Sequence, residues 1–142
     1  MVKIANSIVV GVPAKRAFEV ITQFSRYPKF LHDITEAKVL KSTAKKAQVA
    51  FQIKMIQKVD YTLEFTLTPD ELAVWKFIKG DPVLKDNSGS WRIEAQTPKK
   101  TVLFYEANIE LSIWIPESML KSILEENLPK ICLLYTSDAA DE

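Results

Sequence analysis

Between Ala47 and Leu67 the odd-numbered positions are apolar, while most of their even-numbered neighbours are polar or charged. Ala47, Val49, Phe51, Ile53 and Met55 form one series, Gln57 and Lys58 interrupt it, and Val59, Tyr61, Leu63, Phe65 and Leu67 form the next. Successive side chains of a strand point to opposite faces, so the alternation predicts two antiparallel strands that place all ten residues on one face. That face is large and aromatic. What covers it decides whether it lines a pocket or a solid core.

The same pattern, followed along the chain, predicts a first strand over about Lys3 to Val12. Pro13 follows, with the fixed φ and missing N–H that suit a first helical turn. Ala14, Ala17, Phe18, Ile21 and Phe24 then recur at helical spacing, which predicts an amphipathic helix of about three turns. Tyr27-Pro28 is expected to stop it, with Pro28 opening a short second helix through Phe30 and Leu31. Phe24, Tyr27 and Phe30 would pin this elbow to the sheet. Six strands are expected next: Thr35 to Lys41, Lys46 to Met55, Val59 to Thr68, Ala73 to Lys79, Gly89 to Gln96 and Val102 to Ile113. Their links, at Ser42 to Lys45, Pro69 to Glu71, Asp81 to Ser88 and Thr97 to Lys100, are short and rich in turn residues, which implies antiparallel neighbours. In the last strand Leu103, Tyr105, Ala107, Ile109, Leu111 and Ile113 share a face. Pro116 starts a final helix with Met119, Leu120, Ile123, Leu124 and Leu128 as its apolar stripe. The expected order is strand, two helices, six strands, helix, with the helices covering the dry face of the sheet.

At 142 residues, 47% hydrophobic and 26% charged, the composition fits one globular domain, and no apolar run approaches the ~20 residues of a membrane helix. The alternating start lacks the continuous apolar stretch of a signal peptide, so a cytoplasmic location is expected. Residues 132–142, Cys-Leu-Leu-Tyr-Thr-Ser-Asp-Ala-Ala-Asp-Glu, resemble a one-frame translation of a sequencing-library adapter and are expected to be a non-native tail on a domain of residues 1–131. The natural segment would then end near Ile131. Setting the tail aside removes the one cysteine and three acidic residues but no basic one, which moves the net charge from +1 to +4. The basic residues are scattered, with Lys-Lys pairs only at Lys45-Lys46 and Lys99-Lys100, so no nucleic-acid footprint is expected.

Candidate chemistry is sparse. His32 is the one histidine, and a nucleophile-His arrangement would have to recruit Ser25, Ser42 or Asp33 beside it; an ordinary loop histidine is the better reading. One histidine without a native cysteine leaves no metal-ligand spacing. Glu106 and Glu110 could be imagined as paired carboxylates, but their parity, shared by Asn108, opposes Tyr105, Ile109 and Leu111 and puts them in solvent. Arg92 alternates away from Trp91 and Ile93 and should also face water. Trp75 and Trp91 flank the Gly80 to Gly89 connection and are equally readable as core or pocket lining. Val83 and Leu84 would form either a lip at a cavity mouth or an edge tucked into the core, and Asn87-Ser88-Gly89 reads as a turn. Tyr61 and Tyr105 share the apolar parity and are the most plausible polar contacts to a ligand.

The element order, together with Phe24-Ser25-Arg26-Tyr27-Pro28-Lys29-Phe30-Leu31, resembles the START-like helix-grip superfamily and, more narrowly, its polyketide cyclase/dehydrase and coenzyme Q-binding branch. Ser7 to Val10 before Val12-Pro13, Trp75, Lys85 to Trp91, Tyr105 and Asn127-Leu128-Pro129-Lys130 add to the likeness, which spans residues 3 to 131. The resemblance implies an α+β fold: a curved seven-stranded antiparallel sheet around a C-terminal helix, with two short helices after strand 1. A hydrophobic cavity for a lipid, isoprenoid, quinone or polyketide-like molecule would lie between sheet and last helix. Its expected lining is Phe51, Ile53, Tyr61, Leu63, Phe65, Trp75, Phe77, Trp91, Tyr105, Ile109, Leu120, Ile123 and Leu124. Neither a cofactor nor a catalytic constellation is expected. Binding or transfer of the hydrophobic molecule is the first expectation, with transient membrane contact left open and the oligomeric state unread. An aromatase/cyclase-like enzyme is the alternative, and it would need an acid or base inside the cavity. A third reading, an interaction protein like the ribosome-association toxins of this fold, would need a basic docking surface that the scattered lysines do not supply.

Overall fold

The structure, a computed structural model, describes residues 2–29, 34–54, 58–112, 114, 116 and 118. Seven strands, β1 (Val2–Val10), β2 (Ile34–Ser42), β3 (Lys46–Lys54), β4 (Lys58–Thr68), β5 (Leu72–Gly80), β6 (Leu84–Thr97) and β7 (Lys100–Leu111), form one sheet. Every pairing is antiparallel, in the spatial order β1-β7-β6-β5-β4-β3-β2. The strands β2 to β7 therefore run as a meander, as their short links require, and β1 docks on β7. The sheet is open, with β1 and β2 as its two edges. Helix α1 (Ala14–Ile21) and a 3-10 helix (Phe24–Lys29) fill the connection from β1 to β2.

The hairpin read from the alternating stretch pairs in the expected register: Ala47 with Phe65, Val49 with Leu63, Phe51 with Tyr61 and Ile53 with Val59. Residues directly opposed in a ladder share a face, so these side chains lie together, buried or half-buried. The other face carries the polar set. Gln52 bonds Asp60 at 2.9 Å, Gln48 bonds Glu64 at 3.2 Å, and Lys76 reaches Glu64 at 3.5 Å. Arg92 is exposed as expected, lies 4.2 Å from the Phe104 ring centre, and pairs with Glu94. Register shifts occur in β2, β5 and β6. Such bulges bend strands, which lets the sheet curl over its apolar side.

Two sequence expectations need correction. Helix α1 has eight residues, not three turns, and Pro13 is its N-cap in extended conformation. It ends at Thr22, whose N–H donates to the Phe18 carbonyl at 3.1 Å and whose Oγ1 donates to the same carbonyl at 2.8 Å and lies 3.2 Å from the Glu19 carbonyl, a local side-chain bond that competes with a further helical turn. Phe24, Tyr27 and Pro28 therefore belong to the 3-10 helix, and Pro28 sits inside it rather than opening a new element. The second correction concerns Asp81 to Ser88. Only Asp81 to Val83 connect, β6 begins at Leu84, and Asn87-Ser88-Gly89 is strand, paired to Ile109, Asn108 and Ala107. Asn and Gly are turn formers by propensity, but pairing with β7 overrides that here. Val83 and Leu84 are both 7% exposed and so tucked into the core, held by Ser112, whose N–H donates to the Val83 carbonyl and whose Oγ donates to the Pro82 carbonyl.

Phe30, Leu31, His32, Met55, Gln57 and Ile113, the final helix with Met119, Leu120, Ile123, Leu124 and Leu128, and the tail 132–142 lie outside the described residues.

Candidate functional site

The inner face of the sheet, the side on which α1 and the 3-10 helix pack, is defined by the ladder. Phe51, Tyr61, Leu63, Phe65, Trp75, Trp91 and Ile109 are buried on it, and Ile53, Phe77 and Tyr105 are half-buried. Ten of the thirteen expected lining residues are thus brought onto one surface. Leu120, Ile123 and Leu124 lie outside the described residues. Helix α1 contributes Ala17, Val20 and Ile21, and the elbow contributes Phe24.

The aromatic rings form an unbroken series across five strands. Phe24 contacts Phe65 at 4.3 Å between ring centres, Phe65 contacts Trp75 at 5.9 Å, Trp75 contacts Tyr105 at 5.8 Å, and Tyr105 contacts Trp91 at 4.7 Å. A branch runs from Tyr27 to Phe51 at 6.0 Å and on to Tyr61 at 5.6 Å. Tilted and stacked pairs at these separations are attractive beyond their buried area. The Trp75 to Tyr105 contact joins β5 to β7 across the intervening strand, and Gly89 makes it possible. A Cβ on Gly89 would stand 2.5 Å from Trp75 Cζ2 and 2.2 Å from the Glu106 carbonyl oxygen. The missing side chain lets the indole lie close against the β6 backbone.

Among the described residues, polar groups on the strands of this face are few and uncharged. Tyr27 donates its hydroxyl hydrogen to the Ile21 carbonyl at the end of α1, which gives this phenol a structural duty. Burial raises the Tyr27 and Tyr61 phenols well above their ordinary value, and proximity of Tyr105 adds to the rise in both. Burial pushes Tyr105 up to about 12. All three phenols are therefore neutral at physiological pH. Thr101, fully buried, donates to the Val12 carbonyl at 2.7 Å, and Trp75 Nε1 donates to Asn87 Oδ1 at 3.0 Å. Among the described residues, no inner-face strand position carries Asp, Glu, Lys, Arg or His. Glu106, Asn108 and Glu110 take the opposite parity, as expected, but of the three only Glu106 is exposed; Asn108 and Glu110 are half-buried rather than in solvent, and the Asn108 Oδ1 atom is buried. No group of acidic, His and Cys residues among the described ones is arranged to hold a metal.

Asn87 and Gly89 are the inner-face residues that reading the sequence missed. Counting back from Trp91 in steps of two reaches both, so parity carried the signal and turn propensity concealed it.

Comparison with known proteins places this geometry. No curated protein matches in sequence. Among solved structures, the Zhui aromatase/cyclase from Streptomyces sp. R1128 superposes with a TM-score of 0.81 at 15% identity, covering 97% of this chain and 93% of that one. A START superfamily protein from Mycobacterium smegmatis gives 0.76 at 16% identity, covering 91% and 90%. A STAR-related lipid transfer protein fragment from Xanthomonas axonopodis gives 0.74 at 12% identity, covering 94% and 85%. At such identities these likenesses establish the START-like helix-grip fold alone. The family model described as "Polyketide cyclase / dehydrase and lipid transport" matches residues 10–131, most of the chain, and the protein belongs to that family.

Proposed function

We propose that this protein binds and carries, within the cytoplasm, a hydrophobic small molecule of lipid, isoprenoid, quinone or polyketide-like character on the inner face of its sheet. The observation that carries the reading is the continuous aromatic surface with no ionised strand side chain among the described residues. Such a surface binds through area removed from water, at about 25 cal/mol per Å² of apolar contact, with a few neutral polar groups fixing orientation. The family's lipid-transport branch and the STAR-related neighbour support it. The residues proposed to touch the ligand from the sheet are Phe51, Ile53, Tyr61, Leu63, Phe65, Trp75, Phe77, Trp91, Tyr105 and Ile109. Leu120, Ile123 and Leu124 are proposed to complete the lining. The folded domain is proposed to be residues 1–131; the family match, which ends at residue 131, supports it.

The alternative, an aromatase/cyclase-like enzyme, has aromatase/cyclase fold neighbours behind it. Among the described residues, acid–base work would fall to phenols whose raised pKa values make them poor bases near neutral pH. Organic extraction of the purified protein followed by mass spectrometry tests the carrier reading. A hydrophobic compound recovered in near-stoichiometric amount is expected, and a protein that is empty and takes up no added lipid would contradict it.

A further inference from the structure

The Trp75 indole has one polar atom, Nε1, which can only donate. Its acceptor is Asn87 Oδ1 at 3.0 Å, so the amide orientation follows from chemistry: Oδ1 faces the indole, and Nδ2, with two N–H groups, faces away. Among the described residues nothing accepts from Nδ2. Asn87 is half-buried, on a stretch of β6 that β5 leaves unpaired, because the β5–β6 ladder stops at Trp75 and Gly89. Gly89, two residues on and on the same face, has no side chain, and the Trp75 ring takes the place its Cβ would occupy, which holds Nε1 beside Asn87 Oδ1.

We propose that Asn87 reads a neutral acceptor oxygen on the bound molecule, a ketone or quinone carbonyl, and that the site discriminates against free carboxylates. The inference rests on the carrier reading and names the chemistry of its ligand. A pure hydrocarbon seated against Asn87 strips water from two N–H groups and returns nothing, whereas a carbonyl replaces the lost bonds. A carboxylate also accepts, but the inner-face strands bring it no cation among the described residues, and an ion buried without a partner is strongly disfavoured. The neutral Tyr61 and Tyr105 phenols keep the same surface uncharged.

The test is displacement of the neutral dye N-phenyl-1-naphthylamine by 2-nonanone, nonane and nonanoate at neutral pH, in the wild-type protein and in Asn87→Asp and Asn87→Leu. Asn87→Asp keeps an acceptor for Trp75 but loses both donors, and Asn87→Leu keeps the approximate volume. The readout is the ratio of affinities within one protein, so changes in overall stability cancel. The wild type should prefer 2-nonanone over nonane about five- to tenfold, the worth of one net hydrogen bond, with nonanoate weakest. The preference should fall to about one or below in whichever variants fold. A wild-type ratio of one, a ratio that survives in either variant, or nonanoate binding tightest would overturn the inference while leaving the carrier reading standing. Failure of all three compounds and the dye to bind would overturn the carrier reading itself, and this inference with it.

Discussion

Gly89 and Thr101 show how single residues hold the inner face in shape. A side chain on Gly89 must push either the β7 backbone or the Trp75 ring, since its Cβ would lie 2.2 Å from one and 2.5 Å from the other. Gly89→Ala should therefore cost about 2–3 kcal/mol by overpacking, read as a lower urea midpoint with an altered Trp emission spectrum. An unchanged midpoint would show that the indole does not lie on β6. Thr101→Val is nearly isosteric but removes the donor to the Val12 carbonyl. It should cost about 1–3 kcal/mol for the buried acceptor left unpaired, checked by the same denaturation experiment. The three inner phenols give a pH signature. Below about pH 10, the ordinary tyrosine value, folded and unfolded chains both hold these protons, and their contribution is fully present. Above it the unfolded chain releases protons that the folded one keeps, so stability falls as pH rises through the folded values. Unfolding free energy should be lower at about pH 11 than at about pH 8, with the phenolate absorbance of the native protein appearing late. Equal stabilities would contradict the burial of these rings. Tyr61 and Tyr105 were legible as inner residues from parity alone. Asn87 and Gly89 were not, because their types argue for a turn and only the pairing with β7 decides otherwise.

Among the elements, the strands were the most legible, because a period of two survives small errors in their ends. The turn from α1 into the 3-10 helix was less so. Phe24 fits the helical spacing of Ala14, Ala17 and Ile21, and nothing local shows that Thr22 turns back on the Phe18 carbonyl and ends the helix first. The elbow still does what its aromatics suggested: Phe24 packs on Phe65 and Tyr27 on Phe51. Phe24→Ala should cost about 3–5 kcal/mol, the usual loss for a buried phenylalanine. Tyr27→Phe, which removes the hydroxyl from the Ile21 carbonyl but leaves the ring, should cost about 1 kcal/mol. Calorimetric melting of the two variants checks both the losses and their order. If Tyr27→Phe were the more damaging, the elbow would be held by its polar contact and not by ring packing.

For the whole molecule, the order of elements together with the Phe24 to Leu31 segment was enough to recognise a seven-stranded helix-grip sheet and its family. That ten of the thirteen expected residues share one face of the sheet was legible from the same parity; their contact with a ligand is the proposal. Chemistry was harder to read than shape, since a neutral aromatic surface has no spacing signature of the kind metal or nucleophile sites have. Residues 132–142 should add nothing to the domain, so a chain ending at Ile131 is expected to melt with the full one, and a lower melting temperature would show the segment to be part of the fold. The central claim is that the inner face takes up a neutral apolar molecule beside Trp75 and Trp91. Energy transfer from tryptophan to bound N-phenyl-1-naphthylamine, compared between the wild type and a Trp75→Phe/Trp91→Phe double variant, tests it most directly. Saturable one-to-one transfer that is largely lost in the variant is predicted, whereas transfer that never saturates, or that persists undiminished without the two inner indoles, would contradict it.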